Sequence, residues 1–202
     1  MTLRGVDGTA DAGGERRRGP WARVGNALRG ELQALHPRLI LAGLLVRLFP
    51  QHSFQRVRTA LYRAAGISIG PRSLLAGRLE LIGTGPIASR LSIGSDCMVN
   101  APFFADLTDR VSIGSRVAIG HHLVIVTSGH DVGPATHRAG PVRAAPVVVE
   151  DGSWLGACVT LLPGAKVGAG AVVGAGSLVI GEIPPGVLAV GRPARVVRRL
   201  EG

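Results

Sequence analysis

The chain has 202 residues, a length that suits one core-bearing domain with appendages. Hydrophobic residues make up 46% of it, aromatic residues only 3%, and there are 30 glycines, so thin repeated aliphatic layers are favoured over an irregular globular core. The formal net charge is +10, but no helix-turn-helix, zinc-finger or RNA-stacking signature accompanies it, so we expect no nucleic-acid partner.

The chain divides into parts with different patterns. Residues 1–20 are predicted to form a flexible basic tail. In residues 21–66 apolar residues recur at helical spacing with two prolines as breaks, which predicts two or three short helices. The main domain is expected over residues 67–186, and a C-terminal strand or helix tail over residues 187–202.

A period of six begins at Ile69 and predicts a β-solenoid. Aliphatic or small residues recur at Ile69, Leu75, Leu81, Ile87, Ile93, Val99 and Ala105, after a slip of two residues at Ile113, Ile119 and Ile125, and after a polar loop at Val149, Leu155, Leu161, Val167, Val173 and Val179. One inward aliphatic residue per hexad builds a short strand, and a following glycine tolerates positive φ and close approach of stacked backbones. Three strands close a triangular coil of about 18 residues, which buries its faces only by stacking on the next coil.

The two cysteines, Cys97 and Cys158, lie far apart and without metal-ligand spacing, as is typical of unpaired thiols in a reducing compartment. The N-terminus lacks the pattern of a cleavable signal, so we expect a cytoplasmic protein. The longest apolar stretch, residues 39–49, is too short to span a bilayer. It is compatible with half of an amphipathic helix that lies on a membrane or on a neighbouring subunit, so residues 21–66 are a candidate for a peripheral membrane contact.

Residues 69–198 resemble the hexapeptide-repeat acyltransferases, in particular the maltose and galactoside O-acetyltransferase branch. The likeness rests on "TSGHD" from Thr127, "PVVVEDGSWLGACVTLLPGAKVGAGAVVGAGSLV" from Pro146 and "EIPPGVLAVGRPARVVRRL" from Glu182, which follow the family's order and spacing. The resemblance implies a mainly β fold, the left-handed parallel β-helix; the hexad alone does not establish its hand. It also implies a homotrimer with active sites between subunits, and acetyl-CoA as acyl donor.

The polar loop of about residues 129–145 falls where the family extrudes a loop over a neighbouring subunit. The family's catalytic histidine stands where that loop leaves the solenoid, and the resemblance therefore implies that His130 is the general base. A sugar hydroxyl is a poor nucleophile at neutral pH, and a neutral imidazole can take its proton as it attacks a thioester.

The resemblance places further residues around the expected groove. Asn100 falls where the family holds the acceptor hydroxyl, although asparagine is also a routine turn residue. The backbone N–H of Ala157 is expected to stabilise the developing oxyanion. Asp106 is a candidate contact for a second acceptor hydroxyl, although the family's acidic residue lies slightly later in this loop. Trp154 is expected either to line the acceptor or pantetheine slot or to cover the coil edge.

Acetyl-CoA is expected to run along the later coils, past Ala175, to the C-terminal arginines. Arg195 and Arg198 lie where the family has basic CoA contacts, and Arg192 is nearby; guanidinium groups pair with phosphate oxygens in bidentate fashion. The chain departs from the family at residues 180–181, where Ile-Gly replaces the common Thr-Lys and removes a usual phosphate contact.

The favoured function is transfer of an acetyl group, directly within a ternary complex, to a hydroxyl of a sugar or glycoconjugate precursor. Two alternatives are an N-acyltransferase acting on an amino sugar and a non-catalytic solenoid scaffold. A third is a zinc enzyme like the γ-type carbonic anhydrases, which share this solenoid. The spacing of His121, His122, His130 and His137 does not match that three-histidine site, so we expect no metal.

Overall fold

The computed structural model describes residues 35–201. This part of the chain contains helix α1 (Pro37–Val46), helix α2 (Gln55–Ala64), a 3-10 turn (Ile87–Arg90) and twenty β-strands. The tail predicted over residues 1–20, and the helical spacing before residue 35, lie outside the described residues. Neither of the two described helices is long and apolar enough to cross a membrane.

Most of the strands are only two or three residues long. They are β1 (Ser68–Ile69), β2 (Leu74–Leu75), β3 (Leu79–Ile82), β4 (Leu91–Ile93), β5 (Met98–Val99), β6 (Phe103–Asp106), β7 (Val111–Ile113), β8 (Ala118–Ile119), β9 (Leu123–Ile125), β10 (Ser128–Val132), β11 (Ala139–Ala144), β12 (Val147–Val149), β13 (Trp154–Leu155), β14 (Thr160–Leu161), β15 (Lys166–Val167), β16 (Val172–Val173), β17 (Leu178–Val179), β18 (Glu182–Ile183), β19 (Val187–Gly191) and β20 (Ala194–Arg199). Short corners between these strands turn the chain around a triangle.

Three sheets form the sides of a triangular prism. Sheet A has the order β1-β4-β7-β12-β15-β18, sheet B the order β2-β5-β8-β13-β16-β19-β20, and sheet C the order β17-β14-β9-β6-β3. Successive coils pair in parallel, so Ile69 lies beside Ile93 and Ile93 beside Ile113. The core is the column of aliphatic side chains inside the prism. The predicted parallel β-helix is confirmed.

The six-residue period locates every predicted ladder position except Ile87, which lies in the 3-10 turn instead. Leu81 and Ile93 are twelve positions apart because six extra residues stand between β3 and β4. An insertion of six residues keeps a six-residue period in phase, so the pattern does not reveal it. At the other end the spacing shortens to four between Val179 and Ile183, so the pattern missed the last coil.

Where a glycine follows the aliphatic residue of a strand, space requires it. A Cβ on Gly94 would lie 2.5 Å from the backbone carbonyl carbon of Gly114 in the next coil, closer than any side chain allows. Positive φ falls two residues later in the corner, at Asp96 (58°), Arg116 (57°) and Gly170 (65°). The sequence pattern had assigned both close approach and positive φ to one glycine. In the structure the glycine allows the close approach, and the residue two positions later has the positive φ.

A hairpin leaves the prism where the chain passes from sheet C to sheet A. Its strands β10 and β11 pair antiparallel, with an irregularity between His130 and Val132. The ladders on both sides continue in register, since β9 pairs with β14 and β7 pairs with β12. The hairpin is thus an addition to one edge of a continuous solenoid.

The C-terminal tail consists of strands. β19 extends sheet B in parallel after β16, and β20 folds back on β19 in antiparallel fashion. The last strand covers the end of sheet B with a row of mostly exposed side chains. No helix follows residue 187 in the described part of the chain.

A buried arginine fastens α2 to the first coil. Arg58 is 1% exposed, and no carboxylate within residues 35–201 pairs with it. Its Nη atoms donate hydrogen bonds of 3.0–3.4 Å to the carbonyl oxygens of Phe49, Pro50, Ser53, Leu75 and Ala76. Burial lowers the pKa of Arg58. This one side chain therefore joins the loop between the helices to the solenoid.

We expect Arg58→Met to lower the free energy of unfolding by about 3 kcal/mol, because it removes charge-assisted hydrogen bonds to buried carbonyl groups. Urea unfolding followed by circular dichroism measures this. The matched control is Arg56→Met, an exposed arginine on the same helix, with an expected change within about 0.5 kcal/mol. Equal effects of the two substitutions would contradict the assigned role of Arg58.

Candidate active site

His130 lies on the outgoing strand of the hairpin with its side chain exposed. In the strand register it stands opposite Val142, and its Nδ1 atom is 2.7 Å from the carbonyl oxygen of Gly140. A carbonyl oxygen only accepts, so Nδ1 carries the proton and donates, which leaves the lone pair on Nε2. The hairpin backbone therefore fixes the tautomer in which Nε2 can accept a proton from a bound molecule.

Asp106, the predicted contact for a second acceptor hydroxyl, is bound by donors of its own chain. It ends β6, is 4% exposed, and its carboxylate accepts four hydrogen bonds. Oδ1 accepts from the backbone N–H and the hydroxyl of Thr108 at 2.9 and 2.7 Å. Oδ2 accepts from the backbone N–H of Thr127 at 3.1 Å and the hydroxyl of Ser128 at 2.6 Å. Because these donors engage both oxygens, Asp106 holds the start of the hairpin, and its contact with an acceptor hydroxyl stays a prediction.

These hydrogen bonds also decide the charge of Asp106. Burial raises the pKa of a carboxyl group, but the hydrogen bonds from Ser128, Thr108 and Thr127 outweigh it and hold the pKa of Asp106 below its ordinary value. Asp106 is therefore a carboxylate at neutral pH. Its ionised form is the form that stabilises the base of the hairpin.

A second group of predicted residues lies on the edge where the chain passes from sheet B to sheet C, here called the B–C edge. Asn100, Gly120, Gly156 and Gly174 directly follow the paired strands β5, β8, β13 and β16, so they stack in one column. Asn100 thus occupies a position that is glycine in three later coils. Its Nδ2 donates to the carbonyl oxygen of Ile119 at 2.9 Å, which leaves Oδ1 as a fixed acceptor.

The next residue in each of these turns offers a free backbone donor. The carbonyl oxygen of Ala157 accepts from the N–H of Gly176 at 2.8 Å, which ties the two turns together. The N–H groups of Ala157 and Ala175 make no hydrogen bond within residues 35–201. Ala157 is half-buried and Ala175 is exposed. Two stacked N–H groups on the B–C edge are therefore available to a ligand.

The C-terminal arginines lie beside the same edge. Arg192 occupies the turn between β19 and β20, and its Nη1 atom is 3.4 Å from the carbonyl oxygen of Gly176. Arg195 pairs in register with Val190, and Arg198 pairs with Leu188. All three arginines are exposed. Arg192 and Arg195 thus lie near the end of the column that begins at Asn100, and Arg198 lies farther from it on sheet B.

Trp154 lies on the outer surface of sheet B and is 56% exposed. It stands between Ala118 and Val172 in the ladder, two smaller side chains, and precedes Ala157 by three residues. The exposed indole is available to a ligand or to a neighbouring copy.

The structure does not bring the predicted base and the other predicted residues together in one chain. His130 projects from the edge between sheets C and A, here called the C–A edge, whereas Asn100, Ala157 and Ala175 lie on the B–C edge. Sheet C separates the two edges. Among residues 35–201 there is no cluster of three or more His, Cys, Asp or Glu side chains that can hold a metal ion.

Comparison with known proteins finds similarity to hexapeptide-repeat transferases. Residues 146–181 match the family described as "Bacterial transferase hexapeptide (six repeats)". A hexapeptide-repeat acetyltransferase from Vibrio cholerae superposes with a TM-score of 0.73 at 26% identity, over 88% of this chain and 99% of that one. The chain is therefore similar to hexapeptide-repeat acetyltransferases over most of its length, and residues 146–181 carry the matching repeat. The fold is accordingly the left-handed parallel β-helix that the resemblance implied.

Other hexapeptide-repeat relatives carry named activities. The chain is 34% identical over 130 residues to the galactoside O-acetyltransferase of Lactococcus lactis. This alignment covers 54% of this chain and 62% of that protein. A maltose O-acetyltransferase from Clostridium difficile superposes with a TM-score of 0.67 at 26% identity, over 82% of this chain and 87% of that one. The chain spans 62%, 44% and 63% of the first three curated relatives that it matches.

Several residues that shape this region were not among the site residues predicted from the sequence. Thr127 and Ser128 bind the Asp106 carboxylate, and the carbonyl group of Gly140 orients His130. Thr127 and Ser128 stand in the same short stretch as His130, "TSGH", so their hydroxyl groups were a visible signal. The carbonyl group of Gly140 has no signal in sequence, since its position depends on the pairing of the hairpin.

We expect Asp106→Asn to lower the free energy of unfolding at pH 7 by about 2–3 kcal/mol, because an amide cannot accept from all four donors. The lowered pKa of Asp106 means that its stabilisation is present above the ordinary aspartate pKa and is lost as the pH falls through the native value. Urea unfolding at neutral and acid pH should therefore show a shallower acid dependence in the variant.

The matched control is Asp109→Asn, three residues later, whose carboxylate accepts from the N–H of Arg110. Its stability is expected to stay close to that of the unmodified protein. A variant at Asp106 with unchanged stability at pH 7 would contradict the role of this carboxylate as the anchor of the hairpin.

Proposed function

We propose that this protein is an acetyl-CoA-dependent O-acetyltransferase that acts on a hydroxyl of a sugar or glycoconjugate precursor. The observation that carries the proposal is the 2.7 Å hydrogen bond from Nδ1 of His130 to the Gly140 carbonyl, which leaves Nε2 as the proton acceptor. The named activities of the Lactococcus lactis and Clostridium difficile relatives support the reaction class. The Vibrio cholerae acetyltransferase has also been solved in complex with acetyl-CoA, which supports the donor.

In the proposed reaction Nε2 of His130 removes the proton of the acceptor hydroxyl. At the same time the oxygen of that hydroxyl attacks the carbonyl carbon of the thioester. The tetrahedral intermediate collapses as the carbon–sulfur bond breaks, and the leaving thiolate takes the proton from the imidazolium to give free CoA and the acetyl ester. The Gly140 carbonyl, which accepts from Nδ1, also stabilises the transient imidazolium charge. No covalent enzyme intermediate is needed.

The residues of the B–C edge supply binding and electrostatic stabilisation. Oδ1 of Asn100 would accept a hydrogen bond from the acceptor, because its Nδ2 is already held by the Ile119 carbonyl. The unpaired N–H of Ala157 would stabilise the oxyanion, an effect of about 10²–10³ in kcat at comparable sites. The unpaired N–H of Ala175 suits an amide carbonyl of the pantetheine arm.

The C-terminal arginines fit the phosphates of acetyl-CoA. All three arginines are exposed. Arg192 and Arg195 lie beyond Ala175 near the B–C edge, and Arg198 lies farther from it on sheet B. Guanidinium groups match phosphate oxygens in bidentate fashion. Residues 180–181, Ile-Gly, offer no charge there, so Arg192 is the residue proposed to replace the missing contact.

We further propose that the site forms between copies in a homotrimer. In one chain sheet C separates His130 from Asn100 and Ala157. Three prisms arranged around a threefold axis can set the C–A edge of one copy beside the B–C edge of the next. His130 would then serve a site whose acceptor and donor contacts belong to the neighbouring copy.

We expect His130→Ala to lower kcat by about 10²–10⁴-fold while the affinity for acetyl-CoA stays the same, because general base catalysis is lost and donor binding is not. Thiol release with a panel of sugars measures the rate, and calorimetric titration measures the affinity. His137→Ala, an exposed histidine of the same hairpin, is the control with expected normal turnover. A His130→Ala enzyme that retains most of its activity would exclude this base.

The product of a responsive acceptor distinguishes ester from amide formation. Mild alkali removes an O-acetyl group and leaves an N-acetyl group, so mass spectrometry before and after alkali identifies the bond formed. We expect an alkali-labile acetyl group. An alkali-stable product would establish an N-acyltransferase instead.

We expect acetyl-CoA to bind saturably, and Arg192→Gln/Arg195→Gln to raise its Kd by at least about tenfold, since each charge-assisted phosphate contact contributes roughly 1.5–3 kcal/mol. Calorimetric titration measures both values, and Arg110→Gln, an exposed arginine outside the B–C edge, is the control. Absence of binding at about millimolar donor would favour the scaffold alternative.

A further inference from the structure

The first helix of the described chain is apolar on nearly all sides. Only Ala42 and Val46 of α1 are buried in the core. Leu39 packs against this core and is partly buried. Five other large apolar side chains, in α1 and just after its end, are exposed and are here called the α1 face: Ile40 (49% exposed), Leu41 (58%), Leu44 (53%), Leu45 (37%) and Leu48 (75%). Such a contiguous exposed apolar surface is typical of an interaction surface.

The chain around this face contains positive charge and no negative charge. Residues 35–79 include seven arginines and no aspartate or glutamate. Arg58 is buried, and the six others are exposed, namely Arg38, Arg47, Arg56, Arg63, Arg72 and Arg78. Within residues 35–201 only Arg72 of these six pairs with a carboxylate, that of Asp96. The other five charges are therefore not paired with a carboxylate in the described part of the protein.

The combination of exposed leucines and unneutralised arginines selects the chemistry of a partner. A bilayer with anionic headgroups offers an apolar phase for the leucines and phosphates for the arginines beside them. A nucleic acid offers phosphates but would leave the leucines in water. A second copy that packs through the same face would bring two sets of arginines together.

We propose that the α1 face, with Arg38 and Arg47 at the two ends of α1, binds the surface of a bilayer that contains anionic lipid. Ten residues of helix are too short to span a bilayer, but they can lie along its surface with the leucines inserted. Ala42 and Val46 anchor the opposite side of α1 in the core, so the face is presented without rearrangement of the helix. This proposal does not depend on the proposed enzyme activity.

The test is flotation of the full chain with vesicles of phosphatidylcholine alone and of an equal mixture of phosphatidylcholine and phosphatidylglycerol. We expect binding to the mixed vesicles, much weaker binding to the neutral ones, and loss of the difference at high salt. A chain that floats with neither kind of vesicle would overturn the proposal.

Two variants separate the apolar and the charged contributions. Leu41→Ser/Leu44→Ser/Leu48→Ser should weaken binding to mixed vesicles by about tenfold per leucine, whereas Ile82→Ser, an isoleucine of similar exposure (52%) on β3, should not. Arg38→Gln/Arg47→Gln should weaken it by roughly fivefold per arginine and leave binding to neutral vesicles unchanged. Equal effects of the Ile82 and leucine substitutions would contradict a specific face.

Light scattering after gel filtration distinguishes a contact between copies. We expect the serine variant to keep the oligomeric state and the circular dichroism spectrum of the unmodified protein. A smaller oligomer with unchanged vesicle affinity would show that the α1 face lies between copies, and the proposal would be wrong. The arginine variant retains the apolar face, so it tests the headgroup contact even if the serine variant fails to fold.

Discussion

The close stacking of one coil on the next is the constraint on which this protein depends. A strand of two or three residues has too few hydrogen bonds and too little apolar surface to be stable alone, so each coil is held by the coils before and after it. The backbones of Gly94 and Gly114 approach so closely that a single added carbon would collide. A side chain of ordinary size at these positions would force the coils apart.

The same stacking arranges chemical groups in columns. Residues that are distant in sequence, such as Asn100 and Ala157, come to one edge because they occupy equivalent corners of different coils. The edge offers rigid backbone donors, and rigidity is what binding and oxyanion stabilisation require. His130 stands on the hairpin instead, and there the Asp106 carboxylate replaces stacking as the element that holds the backbone in place. The two halves of the site are thus positioned by different forces.

The six-residue period predicted the triangular prism because each short strand buries one aliphatic side chain per period. It failed where the period and the structure disagree: Ile87 keeps the spacing inside an insertion, and Ile183 breaks the spacing on a true strand. The role of Asp106 was not predictable, since Thr127 and Ser128 lie more than twenty residues away and meet it only after sheet C has formed. Sequence order likewise does not tell which edge of the prism a residue occupies, so the separation of His130 from Asn100 required the structure.

The hairpin enters and leaves the solenoid without disturbing the ladders on either side of it. Its length and composition can therefore change during evolution while the scaffold folds as before, provided that the carboxylate at its base is kept. Folding places demands on the coils, and the placement of the proposed base His130 places demands on the hairpin. The two demands thus fall on separate segments of this chain, which allows the hairpin to change without loss of foldability.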